Sequence, residues 1–426
     1  AEGKWNPNRL STHQKKTMLK KIGDTIADNI TVLQTGVLPS SLPKQIQIGS
    51  KKVMIFQAYD KERETLNSSV LKYSVYDNGT WSEPKAVSDD GTADLYADMK
   101  VVDGKLVLAW QKEKSKITGD LENDSSAVLK DMAECSEIYF SEFDEETNTF
   151  ADPVSVTDND DYDCMPRICS DSDDIVISWV RNDSSSLMQT DGANKIYTAK
   201  WNGTSFEEEQ KLSEAPGTID DYVVYQKDGG ISAIYTGQAN NIKAVFDTNG
   251  QVITQLTGIM TSAAEGNISG LQYADGNVSL VSGETLYQYN ISEDRVQSFL
   301  AGESAFGAEA KYCTNGQKSG YIWSEYDEET DTGKLVASME TEDGYSEPVT
   351  LCEQQGVIWR YYSPLLEEDG TWQIVANVQN TETDINSLVY VRKEQKTKLE
   401  LDENGTKAAA VTAVIMECMS AVEEKE

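Results

Sequence analysis

Tyr96-Ala-Asp-Met-Lys-Val-Val-Asp-Gly-Lys-Leu-Val-Leu-Ala-Trp110 reads as two short strands around an Asp-Gly turn, and the pattern returns along the chain. Asp and Gly suit such a turn because both tolerate positive φ. The run after the turn, residues 106–110, is continuously apolar, as expected of a strand covered on both faces. The same unit aligns at residues 45–59, 166–179, 222–235, 271–281, 309–323 and 362–375. Each copy carries a turn near its middle: Gly49, Asp173-Asp174, Gly229-Gly230, Asp275-Gly276, Asn315-Gly316 and Asp369-Gly370. A second part recurs as well. Tyr73-Ser-Val-Tyr-Asp-Asn-Gly-Thr-Trp-Ser-Glu-Pro84 is matched around Tyr139 to Pro153, in residues 197–206 and in Gly344-Tyr-Ser-Glu-Pro348. Trp110 and Trp179 lie 69 residues apart, and so do Pro84 and Pro153, so two markers shift together.

Seven such units, each of about four strands, predict an all-β chain folded as a seven-bladed β-propeller over residues 30–395. The last unit, ending near Lys393, lacks a fourth strand, and an orphan strand, Ile30-Thr-Val-Leu-Gln-Thr35, precedes the first. Pairing the two closes the ring and leaves no blade without a neighbour. The recurrence of Trp110, Trp179 and Trp323 at one place in the unit predicts a packing role. The stretch 111–134 reads as a long inter-strand loop in the second blade. Ahead of the ring, residues 1–29 are polar, with Met18, Leu19, Ile22 and Ile26 spaced for one face of a short helix.

The 426 residues carry 72 acidic and 37 basic side chains, a formal net charge of -35. That balance excludes nucleic acid as a natural partner, because like charge repels at long range. No apolar run is long enough to span a membrane. A secreted or cell-surface protein is expected, consistent with a bacterial origin. The single histidine, His13, leaves no basis for a histidine triad, and no cysteine spacing suggests zinc. Cys164 with Cys169, or Cys313 with Cys352, would suit either bridges or buried free thiols.

The repeats resemble the sialidase-like and Asp-box-like propellers of secreted bacterial proteins, with Asp77-Asn78-Gly79-Thr80-Trp81 the nearest approach to an Asp-box. The resemblance implies fold and not activity. A sialidase needs three arginines gripping a carboxylate, an acid/base and a tyrosine nucleophile. Of the seven arginines here, only Arg167 and Arg360 sit near starts of inner strands. No catalytic residues are therefore assigned.

The loops leading into the inner strands are acidic and aromatic. Gathered around one mouth of a propeller, Tyr96, Asp161, Tyr162, Arg167, Asp221, Tyr222, Trp359, Arg360 and Tyr362 form the candidate ligand site. Aromatic rings stack on sugars, and carboxylates bind hydroxyls or a hard cation, calcium being the one they would suit. No other cofactor is implied. A carboxylate-pair glycosidase is an alternative, since acidic residues stand close together throughout.

Residues 396–426 lose the blade pattern. Here Glu403, Gly405, Thr406, Ala408, Ala409, Ala410, Thr412 and Ala413 resemble the hinge and reactive-centre loop of an inhibitory serpin. The resemblance implies a scissile bond at Met419-Ser420 and a serine protease as partner. The large sheet body that receives such a loop has no counterpart in residues 1–396. The leading expectation is thus a non-catalytic binding propeller for a glycan or protein, with a protease inhibitor or bait acting through the tail as the alternative.

Overall fold

The computed structural model describes Ala27 and residues 29–262 and 268–394. The expected N-terminal helix and the whole serpin-like tail lie outside the described residues. Seven antiparallel sheets of four or five strands follow one another along the chain, built from strands consecutive in sequence except where the first strand joins the last sheet. This is the seven-bladed propeller expected from the repeat.

The innermost strands, in chain order, are Lys44–Ile48, Asp94–Val102, Tyr162–Ile168, Asp221–Lys227, Ile268–Ala274, Lys311–Thr314 and Val357–Leu366. In blades 1, 2, 3 and 7 the strand after the innermost one is the most buried of the blade. Lys105–Glu113 and Val176–Asn182 are covered along nearly their full length, as their unbroken apolar runs foretold. Ring closure is also as expected. Ile30–Thr35 pairs antiparallel with Asn386–Lys393, Ile30 standing opposite Val391 and Thr35 opposite Ser387. The first strand thus completes the last blade and ties the two ends of the ring together.

There is no single core. Buried apolar side chains form seven clusters among the described residues, one at each seam between adjacent blades. Trp110, Trp179 and Trp323, each at most 1% exposed, pack in the seams between blades 1 and 2, 2 and 3, and 5 and 6. The Trp323 ring lies so close to Gly307 that a Cβ there would fall 2.1 Å from its Cδ1, so this approach requires glycine. Removing one such indole would cost about 3–5 kcal/mol in lost burial and cavity formation.

The long insertion in blade 2 is not a plain loop, because it contains a helix, Ser125–Cys135. Only Val128 and Ala133 of this helix are buried. So narrow an apolar stripe gave too little periodicity to read. All five described cysteines (Cys135, Cys164, Cys169, Cys313 and Cys352) are free thiols, so neither candidate pair is bridged.

A candidate ligand cavity on the propeller axis

Seven inner strands converging on one axis leave a cavity of about 520 Å3 to which every blade contributes side chains. Adjacent inner strands are fastened across this axis by side chains as well as by packing. Asp98 Oδ2 accepts from the Ile168 amide of the next blade at 2.8 Å. Gln272 accepts from the Tyr312 amide at 3.0 Å and donates to the Ala310 carbonyl at 2.8 Å. Gln45 of blade 1 donates to the Ser363 carbonyl of blade 7 at 2.8 Å.

Four inner strands carry an irregularity near their first residues, between Asp94 and Ala97, Cys164 and Arg167, Ser269 and Gln272, and Trp359 and Tyr361. A bulge inserts an extra residue and re-aims the side chains around it. In the blade-3 bulge Met165 takes φ 53, and Glu309, just before the blade-6 strand, takes φ 57. Both are left-handed positions unfavourable to side-chain-bearing residues. A buried tyrosine of the following blade satisfies the carbonyl at each: the Tyr222 hydroxyl donates to Met165 O at 2.9 Å, and that of Tyr362 to Glu309 O at 3.2 Å.

Five of the nine expected site residues line the cavity: Tyr96, Arg167, Asp221, Tyr222 and Tyr362. Tyr222 and Tyr362 are buried and act as inter-blade staples, leaving Tyr96, Arg167 and Asp221 as groups with exposure to offer a ligand. The other four do not reach it. Trp359 is 2% exposed and belongs to the seam between blades 6 and 7. Arg360 sits in the bulge and points away, donating to Gln379 Oε1 at 2.6 Å. Tyr361, 36% exposed, takes the lining position expected of Trp359. Asp161 stands 3.9 Å from Arg181 in the outer mouth of blade 3, and Tyr162 is half-buried against the seam of blades 3 and 4.

The cavity is also less acidic than expected. Lys44, Lys100, Arg167 and Lys311 face Asp98, Asp221 and Glu309, so cations outnumber carboxylates in a protein whose net charge is -35. Asp98 is 3% exposed and bonded to Lys44 Nζ at 2.6 Å. Burial alone would raise its pKa, but the charges of Lys44, Lys100 and Arg167 outweigh that and hold it at about 2. Arg167 bonds Asp221 at 2.7 Å and lies over the rings of Tyr96 and Tyr222, 4.7 and 5.3 Å from their centroids. Lys311 approaches Glu309 at 3.4 Å. Lys44, Asp98 and Lys100 were missed in the sequence, although Tyr96, Asp98 and Lys100 alternate as residues on one face of a strand do.

The acidic loops at the outer mouth are occupied internally. Lys114 Nζ gathers Glu137 at 3.1 Å, Asp160 at 3.5 Å and Asp158 at 3.8 Å. Arg181 bonds Asp163 and Glu209, each through two nitrogens. Among the described residues, no group of three or more His, Cys, Asp or Glu side chains is disposed to hold a metal ion.

No protein-family model matches this chain, and no curated protein matches it either. Solved structures do. The crystal structure of the polysaccharide lyase Uly1 overlaps 89% of this chain and 95% of its own, at 8% identity and a TM-score of 0.50. Trypanosoma rangeli sialidase in complex with the inhibitor DANA overlaps 83% of this chain at 11% identity and a TM-score of 0.44, and this chain spans 55% of the sialidase's length. A protein of unknown function from Dyadobacter fermentans overlaps 86% of this chain and 100% of its own, at 9% identity and a TM-score of 0.44. At such identities the likeness is one of fold. The chain is a seven-bladed β-propeller, similar to sialidase-like propeller structures. No helix among its described residues is long and apolar enough to cross a membrane.

Proposed function

We propose that this propeller is a non-catalytic, extracytoplasmic protein that binds a glycan in its axial cavity. One observation carries the reading: all seven blades converge on a single cavity of about 520 Å3, a volume suited to a few sugar rings, walled by Tyr96, Tyr273, Tyr312 and Tyr361 together with charged groups. Aromatic faces and polar groups on rigid strands are what a saccharide requires: the rings cover its C–H faces and the polar groups bond its hydroxyls. The carboxylates present favour holding over proton transfer. Asp98 is held ionised, and Asp221 and Glu309 each have a cation within 3.4 Å. An ionised Asp98 has no proton to give to a leaving group. The similarly folded Uly1 is a polysaccharide lyase, so propellers of this shape can carry carbohydrate chemistry.

The test is a glycan array followed by titration calorimetry with Tyr96→Ala and Tyr361→Ala. Loss of binding in both, with melting unchanged, supports the site. Binding indifferent to both would move the ligand elsewhere, and cleavage of a bound glycan would overturn the non-catalytic half of the reading.

A further inference from the structure

Pairing the charges in the cavity leaves one cation over. Lys44 has Asp98, Arg167 has Asp221 and Lys311 has Glu309. Lys100, from the middle of the blade-2 inner strand, forms no ion pair among the described residues; its ammonium donates to the hydroxyl of Ser170. Its surroundings are predominantly positive. On its own strand it faces Asp98, whose two oxygens are already engaged by Lys44 and the Ile168 amide. From blade 1 it faces Lys44, and from blade 3 Arg167, with the Cys169 thiol also nearby. The Asp221 carboxylate of blade 4 is turned to Arg167.

This arrangement is costly for an ammonium and favourable for an incoming anion. Burial first, and then the charges of Lys44 and Arg167, push the Lys100 pKa down against the opposing pull of Asp98. A carboxylate or sulfate placed against Nζ would supply the missing negative charge and favour the charged form.

Resting on the glycan reading, we propose that Lys100 anchors an anionic substituent, a carboxylate or a sulfate ester, on the bound saccharide. The Lys100 ammonium and the anion form an ion pair, with the Ser170 hydroxyl as its neutral neighbour. Affinity for an acidic sugar therefore falls as salt is added, while affinity for a neutral sugar does not.

The full chain is titrated calorimetrically with trigalacturonate, a sulfated galactotriose and neutral galactotriose, at low and at raised salt. At least one acidic probe binds about tenfold or more tighter than the neutral one at low salt and loses that advantage as salt is added; which of the two does so identifies the anion. Lys100→Met reduces that affinity to the neutral level. Lys100→Arg keeps the affinity, because a guanidinium carries the same charge to the same anion. Equal binding of all three sugars, or an unchanged affinity in Lys100→Met, overturns the role of Lys100 while leaving the glycan reading intact. If no saccharide binds, the glycan reading fails, and inorganic sulfate decides the rest. Acetic anhydride labelling read by mass spectrometry would then show Lys100 protected by sulfate more than surface lysines are. Labelling of Lys100 unchanged by sulfate overturns the anion site as well.

Discussion

At the seams the same contact returns: an aromatic ring from the second strand of a blade lies against the sheet before it, as Trp110, Trp179, Tyr235 and Trp323 all do. Around the axis the charged side chains change from blade to blade: the inner strands of blades 1, 2, 3 and 4 present Lys44, Asp98, Arg167 and Asp221, so that cation alternates with carboxylate. The two regions answer to different physics. A seam must bury apolar area against a similar neighbour, so each blade solves the problem in the same way. The axis is where seven copies meet asymmetrically, and a site needs complementary groups there rather than copies of one.

The sharpest way to break that contrast is to damage a seam. Trp179→Ala removes a fully buried indole between blades 2 and 3. It should lower stability by about 3–5 kcal/mol in chemical denaturation while the folded fraction keeps its ligand affinity. A seam change that altered affinity as much as stability would mean the two regions are coupled.

Asp98→Asn attacks the axis instead. Its carboxylate is the counter-charge for Lys44, with Lys100 and Arg167 close by, so the amide leaves buried cations uncompensated. The expected loss is about 3 kcal/mol near neutral pH. The pH dependence fixes the sign. With the folded pKa lowered from 3.8 to about 2, the contribution is fully present above 3.8 and disappears as pH falls through 2. Unfolding curves of the two proteins should therefore converge at acid pH, and a gap that stayed constant would assign the loss to packing.

Glu113, at the end of the strand Lys105–Glu113, shows the reverse behaviour. It is 2% exposed, and its Oε2 has no hydrogen-bond partner. Burial, only partly offset by Lys112, raises its pKa from 4.5 to about 8, with Glu137 adding to the rise. Between those values the unfolded chain is ionised while the folded one keeps its proton, so stability falls with rising pH by at most about 1.4 kcal/mol per unit. Glu113→Gln should remove that slope, and denaturation at pH 5 and 7 compares the two. Parallel curves would show that Glu113 is already ionised in the fold.

The contrast also explains what could be read from the residues alone. Trp110 and Trp179 were legible because packing repeats, and the closing strand Ile30–Thr35 because its partner blade lacked one. The axis was read less well. Trp359 and Arg360 were placed at the mouth as part of an aromatic loop, whereas they lie within the inner strand Val357–Leu366, where the irregularity before Tyr361 shifts which side chains face the cavity. Bulges are local backbone adjustments without a strong residue signature, so the shift was invisible. Lys44 and Lys100 were passed over for another reason: in a chain with 72 acidic side chains the eye goes to carboxylates, and the informative departure was a lysine on the inward face.

Tyr361 gives the smallest expected effect on stability and the clearest separation of the two regions. Its ring is 36% exposed and lines the cavity, while its neighbour Trp359 holds the seam behind it. Tyr361→Ala should change stability by no more than about 0.5 kcal/mol, the range of surface substitutions. Loss of a stacking ring should nevertheless weaken saccharide binding about tenfold, since one aromatic contact contributes on the order of 1 kcal/mol beyond its buried area. Trp359→Ala, one position across the bulge, should do the opposite, losing several kcal/mol of stability with affinity retained in the folded fraction. Measured as a pair by thermal melting and calorimetry, the two substitutions test whether the bulge divides a structural side chain from a binding one. Equal effects on stability would return Tyr361 to the core, and equal effects on affinity would return Trp359 to the site.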